Sequence, residues 1–129
     1  MTALLSGHRI DNWIAGERVA PANGEYLESV DPSVGKTWIE VPAGDARDVD
    51  AAVAAARAAF AGPWRSMPSM QRAALLRAAA VEIAKHAEEL ATIECRDNGK
   101  PIAEAIPGDL PSVSEMMNYW GGQADKIHG

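Results

Sequence analysis

The order of apolar and polar positions divides the chain into a strand-rich first third and a helical remainder. From Ile10 to Pro42, β-branched and aromatic residues alternate with short turn sequences, which predicts strands over about 10–42. Asn23-Gly24 favours a turn with positive φ, and Pro32 favours the start of another, so local chemistry specifies two chain reversals. Strands this few and short cannot close a barrel alone.

From Asp45 onward the apolar period changes from two residues to 3.6. The apolar positions that follow share one face of a helix; they are Val49, Ala52, Val53, Ala56, Ala59 and Phe60. Asp45 and Asp48 place negative charge at the helix N-terminus, where the dipole favours it, and Gly62-Pro63 ends the pattern. The first helix is therefore predicted over about 45–61.

Three further helices are predicted over about 68–85, 87–97 and 109–121. Pro68 suits the first helical position, and Asn98-Gly99 supplies a left-handed stop after the third helix. His86 followed by Glu89 predicts a weak internal cap, because a Glu at the third helical position can reach back to the cap N–H.

The last of these helices carries Val113, Met116, Met117, Tyr119 and Trp120. Gly121-Gly122 is predicted to interrupt it, because glycine is a poor helix former. No capping residue or polar tail follows, and we expect a chain truncated after Gly129.

Charge and cysteine content narrow the class of protein. The chain has 129 residues, with 18 acidic against 12 basic side chains and a formal charge of −6, which disfavours nucleic acid as a partner. The single cysteine, Cys95, cannot form an internal disulfide, which suits a reducing, cytoplasmic location. No apolar run approaches the roughly 20 residues of a membrane helix, so no membrane partner is expected.

Several short strings, in this order and spacing, resemble the NAD(P)-dependent aldehyde dehydrogenase superfamily. They are Trp13-Ile14-Ala15-Gly16-Glu17, Val30-Asp31-Pro32, Gly44 to Val53, Pro63-Trp64-Arg65, Arg72 with Leu75-Leu76, Glu94 to Pro101, and Ala124 to Gly129. The resemblance runs from about Ile10 to Gly129 and maps onto the beginning of a family whose members are several times longer. It implies an α/β fold in which residues 1–129 are an incomplete N-terminal part, with short antiparallel strands and three or four helices covering the cofactor-binding domain.

The resemblance also implies where the chemistry lies. In this family a cysteine thiolate attacks a small aldehyde, an asparagine amide helps to hold the oxyanion, hydride passes to NAD(P)+, and a glutamate activates the hydrolytic water. All these residues are expected beyond Gly129, and the chain contains no G-x-G-x-x-G loop. We therefore assign no catalytic or cofactor-binding residue, and we expect NAD or NADP to bind the complete enzyme but not this chain alone.

A monovalent-cation site is also implied by the resemblance. Many members bind Na+ or K+ through backbone carbonyls and an aspartate at positions that match Ser29, Val30 and Asp97 here. At least one family ligand lies outside this chain, so the site would be incomplete. The alternative for Asp97 is a hydrogen bond at a helix end or turn.

For the remaining candidate residues, the sequence favours structural roles over catalytic or metal-binding ones. Cys95 lies far upstream of the family's nucleophile, and free cysteines are commonly inert core residues. No two of the three histidines, His8, His86 and His128, are spaced three or four residues apart, which disfavours a metal site. Met116-Met117, beside Tyr119-Trp120, would line a substrate entrance as in some family members, or serve as core or interface. The sequence Tyr119 to Gln123 also departs from the family's usual Tyr-Tyr-Ala-Gly-Trp.

Two functions remain open at this stage. The first is the N-terminal segment of an aldehyde dehydrogenase, inactive alone and completed by the remainder of the enzyme or a homo-oligomer. The second is a stand-alone, non-catalytic interaction or regulatory module that pairs with a full-length relative. Either predicts an apolar patch larger than the few hundred Å² usual for monomers.

Overall fold

The computed structural model describes residues 9–126, which form two compact units divided between Arg65 and Ser66. The first unit contains, in chain order, β1 (Asn12–Ile14), β2 (Glu17–Val19), β3 (Tyr26–Asp31), β4 (Lys36–Pro42) and α1 (Ala46–Ala59). β1 pairs antiparallel with β2, and β3 pairs antiparallel with β4. The short antiparallel strands predicted from the sequence are confirmed.

The β1–β2 hairpin turns through two residues with positive φ, Ala15 at 55° and Gly16 at 85°. This combination matches the right-handed twist of the flanking strands. Glycine adopts it at little cost, whereas the Cβ of Ala15 makes a positive φ unfavourable by about 1–2 kcal/mol. Ala15 is the only non-glycine residue with positive φ between residues 9 and 126.

The two reversals specified by local chemistry are also confirmed. Gly24 has a φ of 72° and donates its N–H to the carbonyl of Pro21 at 2.8 Å. At the β3–β4 turn, the carbonyl of Asp31 accepts from the N–H of Gly35 at 2.8 Å. The Asp31 carboxylate accepts from the Ser33 hydroxyl at 2.6 Å, so the turn closes on itself before β4 begins.

A reciprocal cap begins α1. The Asp45 carboxylate accepts from the Arg47 N–H at 2.8 Å, and the Asp48 carboxylate accepts from the Asp45 N–H at 2.9 Å. After Ala59 the helix widens into a π-helical turn over Phe60–Trp64, where Gly62 leaves helical geometry with φ −98° and ψ −115°. The end predicted at Gly62-Pro63 is therefore confirmed.

The second unit is helical. It contains α2 (Ser69–Lys85), α3 (Ala87–Asn98), the single-turn α4 (Ile102–Glu104), a π-helical turn (Ala105–Asp109) and α5 (Leu110–Gln123). Strands followed by four longer helices match the fold class expected from the sequence. No helix among residues 9–126 combines the length and hydropathy needed to cross a bilayer.

The break at His86 is real, but its chemistry differs from the prediction. The His86 N–H donates to the carbonyls of Glu82 and Ile83 at 3.2 and 3.1 Å, so it remains part of α2. The Glu89 carboxylate lies 3.3 Å from the His86 ring Nδ1, not at the backbone position that a capping box would require. At the other end of α3, Gly99 has the predicted left-handed conformation, with a φ of 82°.

The predicted interruption at Gly121-Gly122 is wrong, because α5 continues through both glycines to Gln123. Gly121 is buried, and a Cβ there would lie 3.3 Å from the carbonyl oxygen of Ala73 and 3.4 Å from the Cβ of Leu76. The missing side chain thus allows α5 to lie close to α2. Close helix packing outweighs glycine's poor helix propensity at this position.

Small side chains dominate the buried interior. Of the described residues, the buried hydrophobic ones are Ile39, Ala73, Ala80, Ala91, Ala105 and Leu110. Ala91, Ala105 and Leu110 form one cluster, with Ile83, Ala87 and Leu90 packed against it. Since four of the six are alanines, these residues bury little apolar surface per side chain.

Candidate functional site

Asp48 is the polar junction of the first unit. Its carboxylate accepts from the N–H of Ala22 at 3.0 Å and from the side-chain amide of Asn12 at 3.3 Å, in addition to the Asp45 N–H. Asp48 is only 8% exposed, so these donors compensate for its burial. The carboxylate ties α1 to β1 and to the turn after β2, which fixes the position of α1 within this unit.

An open apolar groove lies beside that junction. It has a volume of about 580 Å³ between the β1–β2 hairpin and one side of α1. Its lining residues are Trp13, Ile14, Ala15, Gly16, Ala52, Ala55, Ala56, Ala58 and Ala59. Trp13 is 69% exposed and forms the bulky wall, whereas alanines form the other. The lining offers no acid, base or nucleophile, so the groove suits contact with an apolar surface rather than catalysis.

The predicted cation ligands fall on different units. Ser29 and Val30 are neighbours on β3, at a register shift that interrupts pairing with β4, and the Ser29 hydroxyl accepts from Trp38 Nε1 at 3.1 Å. Asp97 is exposed in the last turn of α3 in the second unit. Residues 9–126 contain no cluster of three or more His, Cys, Asp or Glu side chains suited to a metal ion. The monovalent-cation site stays a prediction.

The other candidate residues are dispersed. Cys95 is a half-buried free cysteine on α3, and His86 joins α2 to α3. His8 and His128 lie outside the described residues. The structural role expected for Cys95 stays a prediction.

Aromatic and sulfur-containing side chains gather on the outer face of α5. Met116, Tyr119 and Trp120 are each more than half exposed. Trp120 Nε1 donates to the Met116 sulfur at 3.1 Å, and the Tyr119 and Trp120 rings meet edge to face at 5.1 Å. These contacts order the three side chains on the surface, which suits either of the two roles considered for them.

Several ionisable groups have pKa values shifted by identifiable partners, and three of them illustrate the causes. Hydrogen bonds from the Arg47 side chain, the shortest 2.6 Å, lower the pKa of Asp45. A 2.6 Å hydrogen bond from the Tyr26 hydroxyl to Asp11 raises the pKa of Tyr26. The ion pair with Asp109 raises the pKa of Lys100. Each pairing stabilises a local element, and none faces the groove.

The sequence interpretation missed two features of this site. It assigned Asp48 to the dipole of α1, but the contact with Ala22 joins residues 26 positions apart, which local spacing cannot reveal. It identified the apolar stripe of α1, but the period of a helix does not say whether that stripe finds a partner. These two features together form the groove: Asp48 holds α1 beside the β1–β2 hairpin, and the apolar stripe of α1 remains exposed.

Comparisons with known proteins all find aldehyde dehydrogenases as relatives of this chain. Residues 19–129 match the model of the aldehyde dehydrogenase family. Aldehyde dehydrogenase family 2 member B4, mitochondrial, of Arabidopsis thaliana is 41% identical over 117 residues, which are 90% of this chain and 22% of that protein. Benzaldehyde dehydrogenase, mitochondrial, of Antirrhinum majus is 39% identical over 117 residues, again 90% and 22% of the two chains.

A solved structure shows the same architecture. The NAD+ complex of an aldehyde dehydrogenase from Bacillus cereus matches with a TM-score of 0.91 and 38% identity, covering 94% of this chain and 25% of that one. This chain therefore spans between a fifth and a quarter of the length of these relatives.

Proposed function

Because this chain belongs to the aldehyde dehydrogenase family, we propose that it is the N-terminal segment of an NAD(P)+-dependent enzyme that oxidises an aldehyde to a carboxylate. In the complete enzyme, a cysteine would form a thiohemiacetal and then a thioester, with hydride passing to the cofactor. This segment supplies scaffold, and the reacting groups lie in the rest of the enzyme. Two comparisons together carry the proposal: the family model matches residues 19–129, and the alignment with the Arabidopsis thaliana relative covers 90% of this chain but only 22% of that protein.

The surface of the chain supports a scaffold role. Large apolar side chains are exposed on α1, α2 and α5, including Val49 at 60%, Leu75 at 51% and Trp120 at 57%. Isolated exposed apolar residues are ordinary, but helices with whole exposed faces are typical of segments that pack against further protein. The remainder of the enzyme, or a homo-oligomer built from it, is the partner that we propose.

The cofactor belongs to the complete enzyme in this proposal. The Bacillus cereus structure is an NAD+ complex, which supports NAD or NADP as the cofactor of a full-length relative. We propose that this chain alone binds neither. A bound Na+ or K+ near Ser29, Val30 and Asp97 is likewise proposed only for the complete protein.

A cytoplasmic location completes the proposal. A single cysteine is the composition expected in a reducing compartment. The names of the two plant relatives, in contrast, place those proteins in mitochondria. Fractionation of cells that express the tagged protein tests this point.

The central experiment compares the purified 129-residue chain with a chimera in which it replaces the matching quarter of the Bacillus cereus enzyme. We expect no NAD+ binding by calorimetry and no aldehyde-dependent NADH formation from the chain alone, but aldehyde oxidation by the chimera. Saturable NAD+ binding with turnover by the chain alone would falsify the proposal, and so would a chimera that fails to assemble.

The interaction-module alternative predicts a different result. Added to the intact Bacillus cereus enzyme, such a module would bind it and change its activity in proportion to the added chain. The scaffold proposal predicts no change, because the intact enzyme already contains its own copy of the segment.

A further inference from the structure

We propose that Asn98 is a site of spontaneous deamidation, at which Asn98 and Gly99 close to a cyclic imide that water opens to aspartate or isoaspartate. The sequence contains two Asn-Gly pairs, Asn23-Gly24 and Asn98-Gly99. Glycine is the residue whose nitrogen most easily attacks a preceding asparagine, because it has no side chain to hinder ring closure. The inference does not depend on the proposed function, and it concerns which of the two pairs reacts in the folded chain.

Both pairs are exposed and share the same local geometry. Their glycines have positive φ, 72° in the first pair and 82° in the second. Each asparagine Oδ1 accepts at 2.9 Å from the backbone N–H two residues later, which belongs to Glu25 in one pair and to Lys100 in the other. Each glycine N–H donates to a backbone carbonyl, at 2.8 Å in the first pair and 2.9 Å in the second. These features therefore do not distinguish the two pairs.

The two pairs differ at the amide nitrogen, which is the leaving group of the reaction. Asn23 Nδ2 donates to the carbonyl of Ala43 at 2.8 Å and so ties its turn to the residue after β4. Asn98 Nδ2 makes no hydrogen bond to any residue between 9 and 126. Ring closure requires the side chain to rotate until its Cγ faces the glycine nitrogen. Asn23 loses one more hydrogen bond than Asn98 in reaching that geometry.

The backbone of the second pair is also easier to move. Asn98 is the last residue of α3, and the ends of helices fray. Fraying of this turn releases the Gly99 N–H from its carbonyl partner and frees the nucleophile. Asn23 lies in the turn between β2 and β3, where the Ala43 N–H donates to the Glu25 carbonyl at 3.0 Å and fastens the chain a second time.

The reaction needs only water as a co-reactant. The Gly99 nitrogen loses its proton to solvent and forms a bond with Asn98 Cγ, and the Cγ–Nδ2 bond breaks to release ammonia. Water then opens the imide at either of its carbonyls and leaves a carboxylate. That carboxylate lies beside Asp97 at the C-terminus of α3, where the helix dipole disfavours negative charge.

Incubation of the 129-residue chain at mildly alkaline pH, both folded and in urea, tests the site. Peptide mapping separates asparagine, aspartate and isoaspartate at each pair. In the folded chain Asn98 should deamidate about three- to tenfold faster than Asn23, the factor expected from one additional hydrogen bond. In urea the two rates should be similar, because both pairs have lost their hydrogen bonds.

Other rate patterns contradict the proposal. Equal rates in the folded chain, a faster Asn23, or an Asn98 that reacts only in urea would each overturn the assignment of the site. A ratio in urea as large as that in the folded chain would show that the structure is not the cause of the difference.

A matched pair of variants tests the effect of the product. Asn98→Asp reproduces its charge and should lower the thermal midpoint by about 2–4 °C, because the charge lies at a helix C-terminus. Asn118→Asp makes the same change at an exposed position within α5 and should leave the midpoint nearly unchanged. Equal shifts in the two variants would overturn the expected destabilisation of α3.

Discussion

α1 and α5 are both 14 residues long and both amphipathic, yet they are held by different forces. α5 presents Gly121 to the backbone of α2 and buries Leu110 in an apolar cluster. α1 buries no apolar residue and is held at its N-terminus by the hydrogen bonds of Asp48. Apolar periodicity therefore identifies the face of a helix that is suited to burial. It does not show whether the residues that would bury this face belong to the same segment.

The largest effect is expected where α5 meets α2. Gly121→Leu forces a side chain against the Ala73 carbonyl, and such overpacking should lower the free energy of unfolding by about 1–3 kcal/mol. Gly122→Ala is the control, because no atom lies within 4 Å of its added Cβ, and it should raise that free energy by up to about 1 kcal/mol. Urea unfolding measures both, and a neutral Gly121→Leu would show that close packing does not hold α5.

A smaller loss is expected at the polar junction of α1. Asp48→Ala removes the acceptor for the Asp45 and Ala22 N–H groups and should lower the free energy of unfolding by about 1–2 kcal/mol. Asp50→Ala, an exposed change on the same helix, should stay within about 0.5 kcal/mol. Hydrogen exchange should show the loss first in α1. Equal effects of the two substitutions would mean that polar contacts do not anchor this helix.

A modest gain in the free energy of unfolding is expected from a substitution in the β1–β2 turn. Ala15→Gly removes the Cβ from a residue at φ 55° and should raise the free energy of unfolding by about 0.5–1 kcal/mol. Ala22→Gly, at a residue without positive φ, should lower it by a similar amount through greater chain entropy. If both variants are destabilised in thermal unfolding, strain at Ala15 is not significant.

The smallest effect concerns pH. The pKa of Asp45 is lowered from its ordinary 3.8, so its contribution to stability is present above pH 3.8 and is lost as pH falls through the folded-state value. Arg47→Gln removes the main cause and should flatten the pH dependence of unfolding in acid. High salt should reduce the difference, because the Arg47 side chain is exposed and the Asp45 side chain is partly exposed. A difference confined to neutral pH would contradict this assignment.

Local chemistry predicted most elements of this fold. The turns at Gly24 and Asp31, the cap of α1 and the stop at Gly99 each depend on a few adjacent residues, so the sequence reveals them. The Gly121-Gly122 pair was misread as a helix break because Gly121 packs against Ala73, which is 48 positions away in the chain.

Less of the candidate site could be predicted from the sequence. The hydrogen bond from Ala22 to Asp48, like the groove beside Trp13, joins distant positions that no periodicity specifies.

The alanine-rich interior has a thermodynamic consequence. The heat-capacity increase on unfolding grows with the apolar surface newly hydrated, and alanines contribute little of it. No side chain between residues 9 and 126 is both large and fully buried. The isolated chain should therefore melt with a heat-capacity step below the about 12–15 cal/mol/K per residue of ordinary domains.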